Sequence, residues 1–496
     1  MDGISIGFKG PEKQVIKNNW PSAIVHSDAV TQFIQDNLQM GKITGPLKQL
    51  PPGFRSSPLG AFIRNNTQKI RVIHDLSWPP GGSVNDYINS KDYTLSYVTV
   101  DLAANNCLIY PEPWLIKMDL QAAFLSCPVK ESDRHLLGFQ WTNGDGVTEY
   151  FHYNVLCFGL KSSPKNFDLL ATALQYIMVS RGVPGTVIHY LDDYFCSCAS
   201  ELEAKTALDI MVKTATEAGF DVQPSKTLGP SRILEFLGVE INTVNNTLSI
   251  SSERMQEIND LVSEWLKKPE GTKRQLLSLI GKLSFCARVV RSGNKFIRRL
   301  INLSKKVRNL HHLVKVTAQA RADLTWWSRC LTSHNGVTWL DLDWNTADAI
   351  YCHTDASDLA AAALFKKSWT VWEFKDSSAW MKATNIAWRE MFAVVLCLAV
   401  FGPRMSNKMV KMYIDNQAVI HCINTGTCKD EAIMSLIRAL YYYITIYQIN
   451  YRAYYVSSLD NAYSDSLSRL QYQRFNQLCP WADPIMTEPC HILLDF

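Results

Sequence analysis

The sequence predicts an α+β fold followed by a separate α/β unit, and three observations carry that expectation. Short strand-like runs alternate with amphipathic helical segments up to residue 245, a stretch of helices follows to residue 340, and strand-like runs interleaved with helices then return. Of the 496 residues, 47% are hydrophobic and 19% are charged, and 14 Trp with 20 Tyr exclude a disordered chain. The longest clean apolar run, 391–401, falls short of the ~20 residues a membrane helix needs, and no signal-peptide core opens the chain, so neither spanning nor secretion is expected. The 13 cysteines are scattered and form no C-x-x-C pair, which predicts a reducing, intracellular setting (cytoplasm or nucleus) with no disulfide framework and no zinc site.

Taken in order, residues 27–40 place Val30, Phe33, Ile34 and Leu38 on one helical face, with Gly41 as the stop. Residues 45–86 are rich in Pro and Gly around one strand-like stretch, 69–75, which predicts a looped two-strand lobe. Strand-rich runs at 114–129 and 187–198 flank a helix over 164–181. A helix over 200–218 opens with the capping box Ser200 and Glu203 and closes at Gly219. Helices are expected over 252–266 and 272–290, the second opened by Thr272 and Gln275. After the Trp326-Trp327 pair, strands are expected at 349–354, 360–365, 371–374 and 408–414, with helices over 386–400 and 431–447 between and after them.

Charge is distributed unevenly along these elements. The whole chain carries only +4, yet residues 267–321 hold fifteen Lys or Arg against one acid, Glu270. A folded segment with that imbalance attracts a polyanion, because each cation near a phosphate releases counterions. The acids are patterned as well. Residues 187–191 and 194–196 are strand-like, so Asp192 and Asp193 fall at a hairpin tip, and the run 114–118 delivers Asp119 at a strand end. Carboxylates brought together in this way suit Mg²⁺, and two such ions about 3.5–4 Å apart promote in-line phosphoryl transfer.

The residues at this point resemble reverse transcriptases. Lys117-Met118-Asp119-Leu120-Gln121-Ala122-Ala123-Phe124, then Phe158-Gly159-Leu160-Lys161-Ser162-Ser163-Pro164, Tyr190-Leu191-Asp192-Asp193 and Phe236-Leu237-Gly238-Val239 look like successive motifs of that family, in order and at comparable spacing. The resemblance implies a right-hand polymerase of fingers, palm and thumb, with Asp119, Asp192 and Asp193 as palm metal ligands. It also implies that Phe124, five residues after Asp119, is the ring that excludes a ribose 2′-hydroxyl, that Arg64 and Arg71 hold the triphosphate, and that Lys226 gives a proton to pyrophosphate. Phe158 stands where retroviral enzymes carry Gln. The stretches 77–86, 281–285 and 296–300 look most like DIRS-like, tyrosine-recombinase retrotransposons. The basic helices then fall where a thumb and connection belong, with Lys282, Arg298 and Arg299 as nucleic-acid contacts.

Downstream, Asp355, Glu390, Asp415 and Asp465 stand at intervals of 35, 25 and 50 residues on four different elements, and the set resembles the ribonuclease H active site. The resemblance implies two Mg²⁺ ions per active site in both domains, with Mn²⁺ as a substitute. The family's usual His before the last acid is missing, since residues 454–460 contain none. The expected layout is an N-terminal helical extension (1–44), fingers and palm (45–245), a basic thumb and connection (246–340), an α/β ribonuclease H-like domain (341–475) and a tail (476–496). The expected function is RNA-directed DNA polymerisation with ribonuclease H activity, acting on an RNA template, a DNA primer, RNA–DNA hybrid and dNTPs alongside other retroelement proteins such as a recombinase and a capsid-like protein. The alternative is an inactive nucleic-acid-binding descendant of such an element.

Overall fold

The computed structural model describes residues 3–63, 70–334, 336–339, 349–376 and 384–489, and the chain divides into two compact units, Met1–Phe236 and Leu237–Phe496. In the first unit, helix α1 (Ser27–Gln39) turns Val30 and Ile34 inward. Strands β1 (Leu59–Ile63) and β2 (Ile70–His74) pair antiparallel with Phe62 opposite Arg71, the two-strand lobe that the Pro- and Gly-rich segment predicts. Strand β3 is Trp114–Asp119. A hairpin of β4 (Gly138–Thr142) and β5 (Thr148–Tyr153) follows, which the sequence reading does not anticipate. Its turn is held by Asn143, whose Oδ1 accepts from the amides of Asp145 and Val147, both at 3.0 Å, so Asn143-Gly144 is the signal that marks it.

Helix α2 (Ser163–Ser180), strands β6 (Thr186–Tyr190) and β7 (Asp193–Cys198), helix α3 (Glu201–Glu217) and strand β8 (Leu228–Ser231) complete the part that carries the first acids. The cap of α3 forms as expected at Ser200, whose hydroxyl accepts from Glu203 N at 3.2 Å; the reciprocal bond goes from Ala199 N to the Glu203 carboxylate. The strands make one antiparallel sheet in the order β8-β3-β7-β6. Ile116, Met118, Tyr194, Cys196 and Cys198 share a core with Phe167, Ala171, Leu174, Ala204, Ala207 and Met211 from α2 and α3. Because side chains alternate along a strand, Lys117, Asp119 and Asp193 point from the opposite face.

In the second unit, β9 (Val239–Asn242) and β10 (Thr247–Ser249) form a hairpin, followed by helices α4 (Ser252–Lys267), α5 (Lys273–Cys286), α6 (Arg298–Lys305) and α7 (Ala318–Ser333). Both bonds of the Thr272 and Gln275 capping box are present at the start of α5, and the helix stops at Cys286, short of the predicted 290. Trp326 and Trp327 of α7 are wholly buried. Strand β11 (Val337–Trp339) pairs with β10. The expected boundary at 340 lies outside the described residues.

Strands β12 (Ile350–Ala356), β13 (Ala360–Phe365) and β14 (Ser368–Glu373) form an antiparallel meander. Helix α8 (Ile386–Met405) leads to β15 (Met409–Ile414), which lies parallel to β12. Helices α9 (Gln417–Thr425) and α10 (Glu431–Ile446) precede β16 (Asn450–Tyr455), parallel to β15, so the sheet order is β14-β13-β12-β15-β16. Helices α11 (Ala462–Ser468) and α12 (Tyr472–Leu478) follow; beyond them Trp369 Nε1 donates to Asp483 O at 2.8 Å, docking the end of the described chain on β14. By length and composition α8 is the one described helix apolar enough to cross a membrane, longer than the clean run 391–401 suggests; 78% of its apolar window is buried inside the protein, against the sheet.

Candidate active sites

The β6–β7 hairpin turns on Leu191 and Asp192, with Tyr190 paired to Asp193. Leu191 sits in the left-handed region at φ 53, a conformation that bulky residues rarely hold outside constrained sites. Asp193 lies directly opposite Asp119 in the β7–β3 register, and the Asp192 carbonyl accepts from Leu120 N at 3.0 Å, so strand pairing alone brings the three acids to one sheet end. Lys117, diagonal to Asp193 on the same face, places Nζ 3.0 Å from Asp193 Oδ2. Lys226 donates to Asp119 Oδ1 at 3.0 Å and Oδ2 at 3.1 Å. Burial lifts Asp192 above the usual carboxylate range, with Asp119 adding to the effect, and pushes Asp193 up to about 6 against the pull of Lys117. Asp193 Oδ1 is buried without a hydrogen-bond partner among the described residues.

The second centre is assembled from β12, α8 and the end of β15. Ligand oxygens of Asp355, Glu390 and Asp415 all lie within 4.8 Å of one another. Burial first, then Asp415 and Asp465, pushes Asp355 up to about 7; burial first, then Asp355 and Asp415, pushes Glu390 up to about 9. Glu390 Oε2 is buried with no partner among the described residues, while Ser468 donates to Asp355 and Ser458 Oγ lies 3.0 Å from Asp415 Oδ2. Asp465 stands outside the set of three: its carboxylate accepts from Arg469 Nε at 2.6 Å and lies 3.4 Å from Arg474. In the second centre oxygen donors crowd together, in the first the three acids share one sheet end, and each centre holds an orphaned buried oxygen and carboxyls above their normal range. That donor set fits a hard divalent cation, which would supply the missing positive charge.

The other predicted residues meet different fates. Arg64 lies outside the described residues, and Arg71 is exposed on β2. Phe124 follows Ala122, which is left-handed at φ 48, and its ring lies 5.2 Å from exposed Phe158 and 5.4 Å from buried Phe167, so it sits between the surface and the core. Arg298 is exposed. Lys282 pairs with Glu257 at the surface. Arg299 takes a structural part that the basic run does not foretell: it donates to both oxygens of Asp323, at 3.1 and 2.9 Å, while Arg438 of α10 holds the same fully buried carboxylate from another side. Lys117 and Ser468 are contributors that sequence reasoning misses; Lys117, two residues before Asp119 on a strand, is the one that alternation reveals.

Residues 79–241, which enclose the first acids and Lys226, match the family model described as reverse transcriptase (RNA-dependent DNA polymerase). This part of the chain is a reverse transcriptase domain of the retroviral and retroelement Pol type. The chain is 24% identical over 243 residues to the Gag-Pol polyprotein of Rous sarcoma virus subgroup C (strain Prague), covering 48% of this chain and 14% of that one. It is 25% identical over 190 residues to the Pro-Pol polyprotein of feline foamy virus, covering 38% and 15%. It therefore spans only a small part of the length of these relatives. Among solved structures, it is similar to the foamy viral protease-reverse transcriptase in complex with dsDNA, with a TM-score of 0.52, 17% identity, and coverage of 92% of this chain and 88% of that one. It is also similar to the same viral protein in complex with RNA/DNA hybrid, with a TM-score of 0.51, 17% identity, and coverage of 91% and 56%. The fold is thus α+β, that of a right-hand polymerase, followed by an α/β ribonuclease H-like domain.

Proposed function

We propose that this chain is an RNA-directed DNA polymerase with ribonuclease H activity, from a retrotransposon most like the DIRS-like elements. The observation that carries the reading is the pair of carboxylate centres: Asp119 opposite Asp193 beside Asp192, and Asp355, Glu390 and Asp415 with oxygens within 4.8 Å. In this reading each centre takes two Mg²⁺, or Mn²⁺, which when bound supply the Lewis acidity for in-line phosphoryl transfer. Around the first centre, Lys226 neutralises Asp119 between turnovers and protonates the leaving pyrophosphate, Arg64 and Arg71 grip the triphosphate, and Phe124 closes the space a ribose 2′-hydroxyl would need. Lys117 restrains the pKa of Asp193 so that it ionises near neutral pH. Around the second, Ser468 orients Asp355, and Arg469 and Arg474 fix Asp465 beside it.

Arg298 and Lys282 meet nucleic-acid phosphates, Lys282 by exchanging its screened surface partner Glu257, while Arg299 positions its helix through Asp323. The substrates are an RNA template, a DNA primer, the hybrid and dNTPs, within a cell's cytoplasm or nucleus and alongside a recombinase and a capsid-like protein of the same element. We keep the five-part division at 44, 245, 340 and 475 as the functional layout.

The test is a separation of functions. Asp355→Asn should abolish cleavage of RNA in a hybrid and leave primer extension near normal, and Asp119→Asn should do the reverse. Loss of both activities in either variant would sink the two-centre assignment, and a wild-type protein that binds hybrid but shows neither activity with Mg²⁺ would leave the inactive nucleic-acid-binding reading.

A further inference from the structure

The stretch 77–86 has a structural part besides its resemblance to one group of retroelements. Asn85 is buried, and both its amide nitrogen and its amide oxygen are engaged: Nδ2 donates to Ser77 Oγ at 2.9 Å and to Gly159 O at 2.8 Å, and Oδ1 accepts from Lys161 N at 2.8 Å. The last two bonds bracket Leu160, so one side chain fixes the backbone of residues 159–161. Lys161 closes the clasp from the other direction, donating from Nζ to the main-chain carbonyls of Asn85 and of Ile88, the latter at 3.0 Å. Gly159, at φ 95, lies so close to the end of β2 that a Cβ there would meet His74 O at 2.3 Å.

What the clasp holds is Phe158. This side chain is 61% exposed, so packing does little to fix it and its backbone must. Its ring lies 5.2 Å from Phe124, the ring proposed to close the space a ribose 2′-hydroxyl would need, while wholly buried Phe167 supports Phe124 from the core at 5.4 Å. Phe124 is thus braced on a rigid inner neighbour and on an outer one whose place depends on residues 159–161.

We infer that Asn85 is a positioning residue for sugar selection: by fixing the backbone beside Phe158 it keeps that ring against Phe124, and together with Lys161 it holds the nucleotide pocket too narrow for a ribonucleotide. Asn85 is buried and acts only through the two rings. The inference rests on the reading of Phe124 as the ring that excludes a 2′-hydroxyl. An isosteric carboxylate in place of the amide would lose both donated bonds and set an anionic oxygen against Gly159 O, so the segment would have to move. A misplacement of about 1 Å is enough to change rates by up to about a hundredfold.

The experiment uses the full chain on an RNA template with an annealed DNA primer and Mg²⁺, and measures kcat/KM for one deoxynucleotide and for the matching ribonucleotide. Their ratio cancels the shared triphosphate and the fraction of folded enzyme, so a loss of stability alone does not move it. Asn85→Asp and Lys161→Met should each lower the ratio by at least about fivefold, mainly by admitting the ribonucleotide. Asn37→Ala removes another buried amide, one that donates to Phe33 O at 2.7 Å; it should lower Tm and leave the ratio within about twofold. Phe124→Val should lower the ratio by itself, and adding Asn85→Asp to it should lower it little further, because both act on one ring. Lys161→Met keeps the test open should Asn85→Asp fail to fold. A ratio unchanged in Asn85→Asp and Lys161→Met while Phe124→Val lowers it, an equal fall in Asn37→Ala, or an additive fall in the double variant would overturn the inference and leave the reading of Phe124 standing. A ratio unchanged in Phe124→Val would remove that reading and the inference with it.

Discussion

Replacing Glu390 by Gln should make the metal-free protein more stable. Glu390 is 4% exposed, and burial together with Asp355 and Asp415 pushes its carboxyl up to about 9, from an ordinary value of 4.5. Between those limits the folded chain keeps a proton that the unfolded chain has released, so this group removes stability as pH rises from 4.5 towards 9. At pH 7 the span below neutrality is about 2.5 pH units, or about 3.4 kcal/mol. Gln keeps the shape and abolishes the titration, at a cost of about 1 kcal/mol for a buried amide whose partners are incomplete. The net gain is about 2 kcal/mol at pH 7 and falls to about zero or below by pH 5, which for a unit of this size is a rise of ~4–8 °C in Tm. Thermal unfolding in EDTA at pH 5, 7 and 8 measures it: wild type should lose Tm as pH rises and the variant should lose less. Mg²⁺ should then raise the wild-type Tm well above its EDTA value and the variant's only slightly. A variant less stable than wild type at pH 7 in EDTA, or one with an unaltered pH slope, would refute the reasoning.

Lys117→Met removes the cation that lowers the Asp193 pKa, so the acid limb of the primer-extension pH profile should move to higher pH from its start near 6, while Lys117→Arg should largely preserve it. Burial pushes His74 and His334 down to about 4, so the stability their neutral forms provide is complete above pH 6.5 and is lost as pH falls from 6.5 towards 4; acid unfolding should be displaced to lower pH in His74→Gln, provided that the amide keeps the bond to Gly138 O. Asp323→Asn takes the shared carboxylate from buried Arg438 and half-buried Arg299 and should cost about 3–5 kcal/mol in urea unfolding, more than the same change at exposed Asp260.

The acids were legible because each follows a strand-like run or rides a helix, and strand pairing is itself periodic: once 114–118 and 187–198 are read as strands, their ends fall together. The hairpin at 138–153 is as visible, since Asn143-Gly144 marks its turn and Phe139 and Trp141 alternate with Gln140 and Thr142 before it; only its second strand, 148–153, alternates weakly. What the sequence conceals is which charges face water. The basic run treats fifteen cations alike, yet Arg299 is bound to Asp323, Arg321 donates to the carbonyls of Leu266 and Lys268, and Lys273 Nζ donates to Val307 O at 2.6 Å. Those partners lie 24 to 55 residues away, beyond any local pattern. The raised carboxyl pKa values depend likewise on burial, which composition does not reveal.

Strand β13 has a consequence of its own. Ala360, Ala361, Ala362 and Ala363 are all 0% exposed, with α8 against one side of the strand and α11 against the other. The methyl groups of Ala360 and Ala362 join the cluster around Leu467 and Phe475, so the clearance between the sheet and the helix that bears Asp465 is set by the smallest side chain that still has a Cβ. Any change but glycine makes the strand thicker. A wedge of even two carbons there would pry α11 away from Asp355 before it touched any acid, so in a saturation library these four codons should tolerate almost nothing, although none of them bears a functional group.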